Sequence, residues 1–346
     1  MEKIRFGKTD LTVSRTGFGG IPIQRISDEE AVAFLHRAYD GGITLYDTAR
    51  VYSDSEHKMG LAFGDMRKDV IICTKTMSTT RDAMFKDLET SLNNLRTDYI
   101  DVYQLHAPKF VPKQGDEMYE TLLEMKAQGM VKHIGITNHV LAFAKEAVES
   151  DLYETLQFPL SPLSTPDEFA LSDMCKEHDM GLLGMKALCG GIITKAITSF
   201  VTLRPYENLV PIWGMQANHE LDEILGYENN PPEMTDEIQA IINADKEELS
   251  GTFCRGCGYC QPCPAGIPIE FAAKISFSIF RLGAEQYFTD QWRENMNKIE
   301  DCIHCNNCIN HCPYGIDTPA LLEEQLRKYN ILYDRHAKGL PLEKLK

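Results

Sequence analysis

The distribution of cysteine constrains the fold of this 346-residue chain more than any other feature. Eight of its eleven cysteines lie in two short runs, Cys254 to Cys263 and Cys302 to Cys312. The first twenty residues show no apolar segment behind a basic head, so we expect a cytoplasmic protein whose thiols stay reduced. Clustered thiols in such a chain indicate metal ligation rather than disulfides.

The spacing within each run is typical of iron–sulfur ligands. The second run reads Cys302-x-x-Cys305-x-x-Cys308-x-x-x-Cys312-Pro, and the first reads Cys254-x-x-Cys257-x-x-Cys260-x-x-Cys263-Pro, one residue shorter. Both resemble the bacterial ferredoxin motif, in which three close thiolates bind one 4Fe-4S cluster and the fourth binds the neighbouring cluster. The resemblance implies two clusters, one held by Cys254, Cys257, Cys260 and Cys312 and the other by Cys302, Cys305, Cys308 and Cys263. A zinc site with four thiolates is the alternative, but eight cysteines and two following prolines favour clusters.

Residues 1 to about 213 alternate β-branched runs with amphipathic helical stretches, a pattern typical of parallel sheets with crossover helices. A hairpin is predicted first, at Lys3–Phe6 and Leu11–Ser14. Eight strands are predicted after it, at Thr16–Gly19, Thr44–Asp47, Val70–Lys75, Ile100–His106, Val131–Thr137, Thr155–Phe158, Gly181–Lys186 and Leu209–Ile212. Helices are predicted between them at Asp28–Tyr39, with Ser27 as its cap, and at Arg81–Leu95, Glu117–Gln128 and Asp167–His178.

Eight alternations with no Gly-x-Gly-x-x-Gly segment favour a closed barrel over an open doubly wound sheet. The sequence therefore predicts an α/β fold, with a (β/α)₈ TIM barrel in residues 1–230 and a helical ferredoxin-like iron–sulfur domain in residues 231–346. The boundary falls in Gly226 to Thr235, where two prolines interrupt helical continuity. Between the cysteine runs, helices are predicted at Ile269–Leu282 and Gln286–Ile299.

Four polar residues lie at or just after predicted strand ends, where TIM barrels carry their catalytic groups. They are Asp47, Tyr52, Lys75 and His106. Hydride reduction of a carbonyl needs a proton donor, and free tyrosine, with a pKa of about 10, donates poorly at neutral pH. We expect the Lys75 ammonium to lower the pKa of Tyr52, Asp47 to hold Lys75, and His106 to orient the substrate oxygen.

These residues resemble the aldo-keto reductase family over residues 1 to about 225. The segment Asp47-Thr-Ala-Arg-Val-Tyr52 is similar to the family's Asp-Thr-Ala-x-x-Tyr motif. The resemblance implies that Tyr52 is the general acid/base, that Lys75 and Asp47 tune it, and that His106 orients a carbonyl or alcohol substrate. It also implies a nicotinamide site, with contacts from Gly20, Asp47, Thr137, Asn138, Gln157, Met185, Lys186 and Glu220.

One difference from NADPH-using relatives bears on the cofactor. Where those relatives carry a basic residue near the start of the last barrel helix, this chain has Glu220. A carboxylate repels a 2′-phosphate but accepts hydrogen bonds from ribose hydroxyls, so we expect NAD(H) rather than NADP(H). Met185 stands where relatives often stack an aromatic ring on the nicotinamide.

Composition excludes several partners. The net charge of −16 disfavours nucleic acid, which binds clustered Lys and Arg. No run of about 20 apolar residues predicts a membrane span. A small carbonyl or alcohol is the expected ligand, and a ferredoxin or flavoprotein is the candidate redox partner.

Three functional interpretations remain open because hydride transfer moves two electrons and a 4Fe-4S cluster moves one. In the favoured one, the barrel is a nicotinamide-dependent oxidoreductase and the clusters are structural or serve a partner. In the second, a ferredoxin or flavoprotein supplies electrons with little direct NAD(P)H turnover. In the third, the chain is a cofactor sensor or an electron-carrier subunit.

Overall fold

The structure, a computed structural model, describes residues 1–249 and 253–345. Two short strands begin the chain and eight more alternate with helices. The strands are β1 (Lys3–Arg5), β2 (Thr12–Ser14), β3 (Gly17–Gly19), β4 (Leu45–Asp47), β5 (Ile71–Thr76), β6 (Ile100–His106), β7 (Val131–Thr137), β8 (Thr155–Pro159), β9 (Gly181–Met185) and β10 (Leu209–Gly214).

Strands β3 to β10 form a closed parallel barrel, because β10 pairs with both β9 and β3. The register places Asp47 beside Cys73 and Lys75 beside Gln104 on neighbouring strands. Each of the eight strands is followed by a helix before the next strand begins. The predicted (β/α)₈ barrel is therefore confirmed, and every predicted strand overlaps an observed one.

The helices follow the amphipathic stretches of the sequence. They are α1 (Asp28–Asp40), α2 (Ser55–Phe63), α3 (Arg81–Leu95), α4 (Glu117–Ala127), α5 (Leu141–Glu149), α6 (Pro166–Glu177), α7 (Ala196–Leu203), α8 (Asn218–Asn229), α9 (Asp236–Glu248), α10 (Ile269–Ala272), α11 (Ile275–Leu282), α12 (Asp290–Asn297), α13 (Asn307–Asn310) and α14 (Thr318–Ala337). Helix α1 begins with a capping box, in which Ser27 accepts from the Glu30 amide and Glu30 from the Ser27 amide.

The hairpin β1–β2 covers the end of the barrel opposite the strands' carboxyl ends. Phe6 follows β1 and packs, fully buried, in one apolar cluster with Val13, Leu45 and Val210. At Gly181, the first residue of β9, a Cβ atom would lie 2.8 Å from the Phe6 ring. Packing at this end therefore leaves the carboxyl ends of the strands for the functional site.

The chain divides into two compact units. The first contains residues 1–187 and 196–242, and the second contains residues 188–195 and 243–346. The second unit therefore includes the segment Leu188–Lys195, which follows β9 in the sequence. The boundary predicted between residues 230 and 231 stays a prediction.

The second unit is helical around an apolar core. That core contains Ile267, Ile269, Ala272, Ile275, Ile279, Met296, Leu322, Tyr329 and Leu332. The single helix predicted at Ile269–Leu282 is wrong in extent, because α10 and α11 are separated at Ala273 and Lys274. Among the residues that the structure describes, no helix has the length and apolar character that crossing a membrane requires.

Candidate active site and cluster-binding cysteines

The predicted polar residues meet at the carboxyl ends of the barrel strands. Asp47 ends β4, Lys75 lies near the end of β5, and His106 ends β6. Across the next two strands, His106 is the register partner of Thr137, and Thr137 is the partner of Gln157. Parallel pairing thus brings together residues that are far apart in sequence.

Lys75 and Asp47 form a buried ion pair. The Lys75 Nζ donates to Asp47 Oδ1 at 2.6 Å and to the Thr48 carbonyl at 2.6 Å. Lys75 is 1% exposed and Asp47 is 4% exposed. Burial raises the pKa of Asp47, and the charge of Lys75 with hydrogen bonds from Lys75 and Gln157 opposes that rise. The pair is therefore fixed in place and shielded from water.

Tyr52 lies between β4 and α2, within reach of this pair. Its ring centroid is 5.5 Å from the Lys75 Nζ and 5.9 Å from the His106 ring, which meets it edge-on at 85°. Desolvation raises the pKa of Tyr52, and the Asp47 charge raises it further. The predicted lowering of this pKa is wrong in sign, because desolvation and the Asp47 charge both raise it.

His106 is buried and held neutral. Burial, followed by the charges of Lys75 and Lys186, lowers the pKa of His106 to about 3. A neutral imidazole carries one N–H donor and one acceptor nitrogen. Its ring is therefore suited to hydrogen bonding with a substrate oxygen rather than to carrying positive charge.

The residues predicted to hold a nicotinamide carboxamide differ in their hydrogen bonds within the protein. Thr137 Oγ1 accepts from the Ala107 amide at 3.0 Å. Asn138 Oδ1 accepts from the amides of residues 139 and 140, both at 2.9 Å, and its Nδ2 donates to the Pro108 carbonyl at 3.1 Å. Gln157 donates to Asp47, while its buried Oε1 accepts no hydrogen bond from the residues that the structure describes. Gln157 Oε1 is thus an acceptor suited to a ligand amide.

The remaining predicted cofactor positions surround the same strand ends. Gly20 follows β3, and a Cβ there would lie 2.5 Å from Ser55 Oγ and 2.7 Å from Met59 Cε, so close packing requires glycine. Met185 ends β9, and Lys186 follows it with a left-handed φ of 63°. Glu220 lies in the first turn of α8, where its Oε2 accepts from the amides of Gln216 and Ala217 at 2.9 and 3.0 Å.

The cysteines of the second unit form two groups. None of the eleven cysteines, all of which the structure describes, forms a disulfide. One cavity is lined by Cys302, Cys305 and Cys308 from the second run and by Cys260 and Cys263 from the first. Cys263 therefore lies near the second run, but so does Cys260, and the partition of the eight cysteines between two clusters stays a prediction.

The other group lies around Cys254. Burial raises the pKa of Cys254, and the nearby charges of Cys257 and Cys312 raise it further. Burial together with Cys254 and Cys257 raises the pKa of Cys260 to about 12. Among the described residues, no three His, Cys, Asp or Glu side chains surround a point closely enough for one metal ion. A four-iron cluster is larger than one ion and holds its thiolates farther apart.

The two runs share a backbone pattern that sequence spacing alone did not reveal. In the first run, Gly256 and Gly258 have left-handed φ values of 63° and 80°; at the same offsets in the second run, His304 and Asn306 have 51° and 58°. Gly266 and Gly315, three residues after each fourth cysteine, are left-handed too. The repeat was hidden because histidine and asparagine replace glycine in the second run.

Sequence reasoning also missed Lys274, which is only 8% exposed. A signal was present, since a lysine interrupts the apolar periodicity of the predicted helix Ile269–Leu282.

Comparisons with known proteins match both units. The model of the aldo/keto reductase family matches residues 15–225, and that of the 4Fe-4S dicluster domain matches residues 253–316. An uncharacterized oxidoreductase, YqkF, of Bacillus subtilis is 28% identical over 210 residues, which cover 56% of this chain and 67% of the relative. Methylglyoxal reductase DkgB of Salmonella typhi is 32% identical over 194 residues, 52% of this chain and 69% of the relative.

Solved structures share the barrel fold. An aldo-keto reductase from Klebsiella pneumoniae, solved in complex with NADPH, matches with a TM-score of 0.58 and 21% identity over 70% of this chain and 94% of that one. The chain spans about two thirds of the length of the curated relatives named above, 67% and 69%. With a barrel-wide family match and a dicluster match after it, this chain belongs to the aldo/keto reductase family of oxidoreductases and carries a C-terminal 4Fe-4S dicluster domain.

Proposed function

We propose that the barrel interconverts a small carbonyl compound and its alcohol with NAD(H), using Tyr52 as the proton donor and acceptor. The observation that carries this proposal is the buried Lys75–Asp47 pair at 2.6 Å, with the Tyr52 ring 5.5 Å from its ammonium. Structural lysines are seldom buried to 1% exposure at a strand end beside a tyrosine and a histidine. The relative named methylglyoxal reductase suggests a small reactive aldehyde as substrate.

The roles follow from the position and charge of each group. A bound nicotinamide supplies the hydride. Tyr52 is protonated at neutral pH, so its hydroxyl has a proton to give to the developing alkoxide, but its raised pKa means that the phenolate left behind needs stabilisation. Neutral His106 donates a hydrogen bond to the same oxygen, while the Lys75 ammonium stabilises the phenolate left on Tyr52. Gln157 Oε1 accepts from the carboxamide.

Anaerobic turnover assays test the proposed reaction. NADH oxidation is followed with methylglyoxal and a panel of aldehydes for the wild type, Tyr52→Phe and the control Tyr119→Phe. The control removes a hydroxyl from α4 that donates to the Leu152 carbonyl at 3.3 Å. We expect Tyr52→Phe to lose about 10²- to 10⁴-fold in kcat and the control to lose none. Full activity in Tyr52→Phe would contradict the role of Tyr52.

The preference for NADH is proposed from the start of α8. A 2′-phosphate there meets the carboxylate of Glu220, and Arg37 nearby already pairs with Asp222 and donates to Asn218 Oδ1 at 2.8 Å. We therefore expect NADH to bind at least about tenfold more tightly than NADPH, and Glu220→Gln to narrow the difference. Fluorescence titration with both nucleotides measures this, and tighter binding of NADPH by the wild type would contradict it.

For the second unit we propose two 4Fe-4S clusters with the ligand sets given above. The group around Cys302 is the more accessible, because Cys305 is exposed and Ile303 beside it is 66% exposed. Reduction potential and electron exchange both depend on such exposure. This favours a second function, in which a ferredoxin or flavoprotein exchanges single electrons with that cluster. Because carbonyl reduction takes two electrons and two protons, two such transfers serve each turnover.

Assays with two different electron sources distinguish the two proposed functions. Aldehyde reduction is measured with NADH alone and with reduced ferredoxin alone, and cluster bleaching is followed by absorbance with each. Turnover with NADH and unchanged clusters supports the first function, whereas turnover only with ferredoxin supports the second. Nucleotide binding with no turnover from either source would contradict both and indicate a sensor. Because cluster ligation requires reduced thiols, we propose a cytoplasmic location.

A further inference from the structure

The segment Leu188–Lys195 has a backbone that needs support. Three consecutive residues, Cys189, Gly190 and Gly191, have left-handed φ values of 49°, 68° and 89°. A run of left-handed residues is rare in proteins, and Cys189 has a Cβ that disfavours it. Contacts from elsewhere in the second unit must therefore maintain this conformation.

Two basic side chains of the second unit supply such contacts. Lys274, in the break between α10 and α11, donates from Nζ to the Gly190 carbonyl at 2.8 Å. Arg281, on α11, donates to the Ile192 carbonyl at 2.9 Å and pairs with Asp245 and Glu248. A charged donor to a carbonyl is among the stronger hydrogen bonds in proteins. Together they fix two carbonyls within three residues of the segment.

Lys274 also reaches the first cysteine run. A Cβ on Gly256 would lie 3.0 Å from Lys274 Nζ, so the ammonium sits against the backbone between Cys254 and Cys257. A Cβ on Gly190 would lie 3.0 Å from the Arg255 carbonyl and 3.4 Å from the same ammonium. One buried cation therefore touches both the segment and a loop that supplies cluster ligands.

We propose that Lys274 is a positioning residue that couples cluster binding at the first cysteine run to the order of Leu188–Lys195. Thiolates bound to a cluster keep Gly256 and the Arg255 carbonyl in place. Lys274, which lies against Gly256, then keeps the Gly190 carbonyl in place through its hydrogen bond. The segment begins three residues after Met185, so cluster loading controls a loop continuous with the proposed nicotinamide site. The inference rests on the proposed ligation by Cys254, Cys257, Cys260 and Cys312, and it does not require NADH turnover.

Hydrogen exchange of the full-length holoprotein tests this coupling. The Gly191 and Ile193 amides both donate to the Leu188 carbonyl, at 2.9 and 3.2 Å, and report on the segment. In Lys274→Met with full iron content, we expect these amides to exchange about tenfold faster or more, with barrel peptides unchanged. Lys274→Arg should retain most protection. Lys328→Met, which removes a charge that pairs with Glu324 at 3.4 Å, should change nothing.

Removal of iron by a chelator gives the second readout. We expect the cluster-free wild type to exchange at Gly191 and Ile193 as fast as Lys274→Met does. Unchanged protection in iron-loaded Lys274→Met would overturn the proposal. If Lys274→Met binds no iron, its exchange rates at Gly191 and Ile193 are compared with those of the cluster-free wild type. Equal exchange then supports coupling, and slower exchange in the wild type overturns it. Loss of NADH turnover with normal exchange behaviour would count against the proposed function alone.

Discussion

At the scale of single residues, Lys75 and Asp47 form a buried ion pair in the barrel. Both groups are nearly excluded from water, and each has lost hydration that only its partner and a few hydrogen bonds replace. Removing one partner leaves an uncompensated buried charge. Removing both leaves a neutral site.

We therefore predict non-additive effects on stability. Lys75→Met should lower the free energy of unfolding by about 3–5 kcal/mol, and Asp47→Asn combined with Lys75→Met should lower it less. Urea unfolding followed by far-ultraviolet circular dichroism measures both values. If the double variant is destabilised by the sum of the effects of Lys75→Met alone and Asp47→Asn alone, the two groups do not act as a pair.

Folding should shift the pKa values of His106 and His133 in opposite directions. The folded pKa of His106, about 3, lies below the unfolded value of about 6.5, so protonation favours unfolding and stability falls as pH drops below about 6.5. Burial acts to lower the pKa of His133, but hydrogen bonds to Glu154 and Asp10 outweigh it and raise that pKa. The stability that His133 contributes is therefore present below about pH 6.5 and lost as pH rises through its folded pKa.

Nuclear magnetic resonance of the histidine rings measures this difference. Between about pH 5 and pH 8, the His106 ring should not titrate, whereas the His133 ring should titrate above its ordinary pKa. His106→Gln and His133→Gln assign the two signals. A His106 midpoint near 6.5 would show that the ring is not desolvated as the structure has it.

At the scale of secondary-structure elements, the sequence predicted the barrel better than the second unit. The barrel strands carry two reinforcing signals, β-branched runs and regular alternation with helices, and parallel pairing then fixes where Asp47, Lys75 and His106 meet. The break at Lys274 had one signal in the sequence, a lysine within an apolar pattern, but that pattern does not encode the contact of Lys274 with the distant Gly190 carbonyl. The prediction for the pKa of Tyr52 failed for a similar reason, because desolvation depends on packing that no motif encodes.

Helix α2, which follows Tyr52, offers a matched test of how packing positions an element. A Cβ at Gly60 would lie 2.0 Å from the Asn94 carbonyl oxygen at the end of α3, whereas at Gly64 the nearest atom is 3.4 Å away. Gly60→Ala should therefore destabilise the protein by about 1–3 kcal/mol through overpacking. Gly64→Ala, in a right-handed conformation, should be neutral or stabilise it by up to about 1 kcal/mol.

Thermal and urea unfolding of Gly60→Ala and Gly64→Ala measure these two changes in stability. A similar effect from both substitutions would mean that α2 moves freely against α3. Activity supplies a second measure, because a displaced α2 also displaces the loop that carries Tyr52. We expect Gly60→Ala to lower turnover, and Gly64→Ala to leave it unchanged.

At the scale of the whole molecule, each unit has its own apolar core and its own candidate chemistry. The segment Leu188–Lys195 is the exception, since it belongs to the second unit but interrupts the first in sequence. The sequence predicted two cysteine runs and their crossed ligand sets by resemblance to ferredoxins. It could not show that this segment packs against the first run within the second unit, because that contact depends on Lys274 rather than on a motif.

The crossed ligand sets lead to a prediction about iron content in double variants. Wild-type protein reconstituted without oxygen should hold about eight irons, and either Cys263→Ala or Cys305→Ala about four. Because the proposed sets place Cys263 and Cys305 on the same cluster, the double variant should still hold about four irons. Cys254→Ala combined with Cys263→Ala should hold almost none, although both residues lie in the first run. Ligand sets confined to single runs would reverse the iron contents of the two double variants, so iron and acid-labile sulfide analysis distinguishes the arrangements.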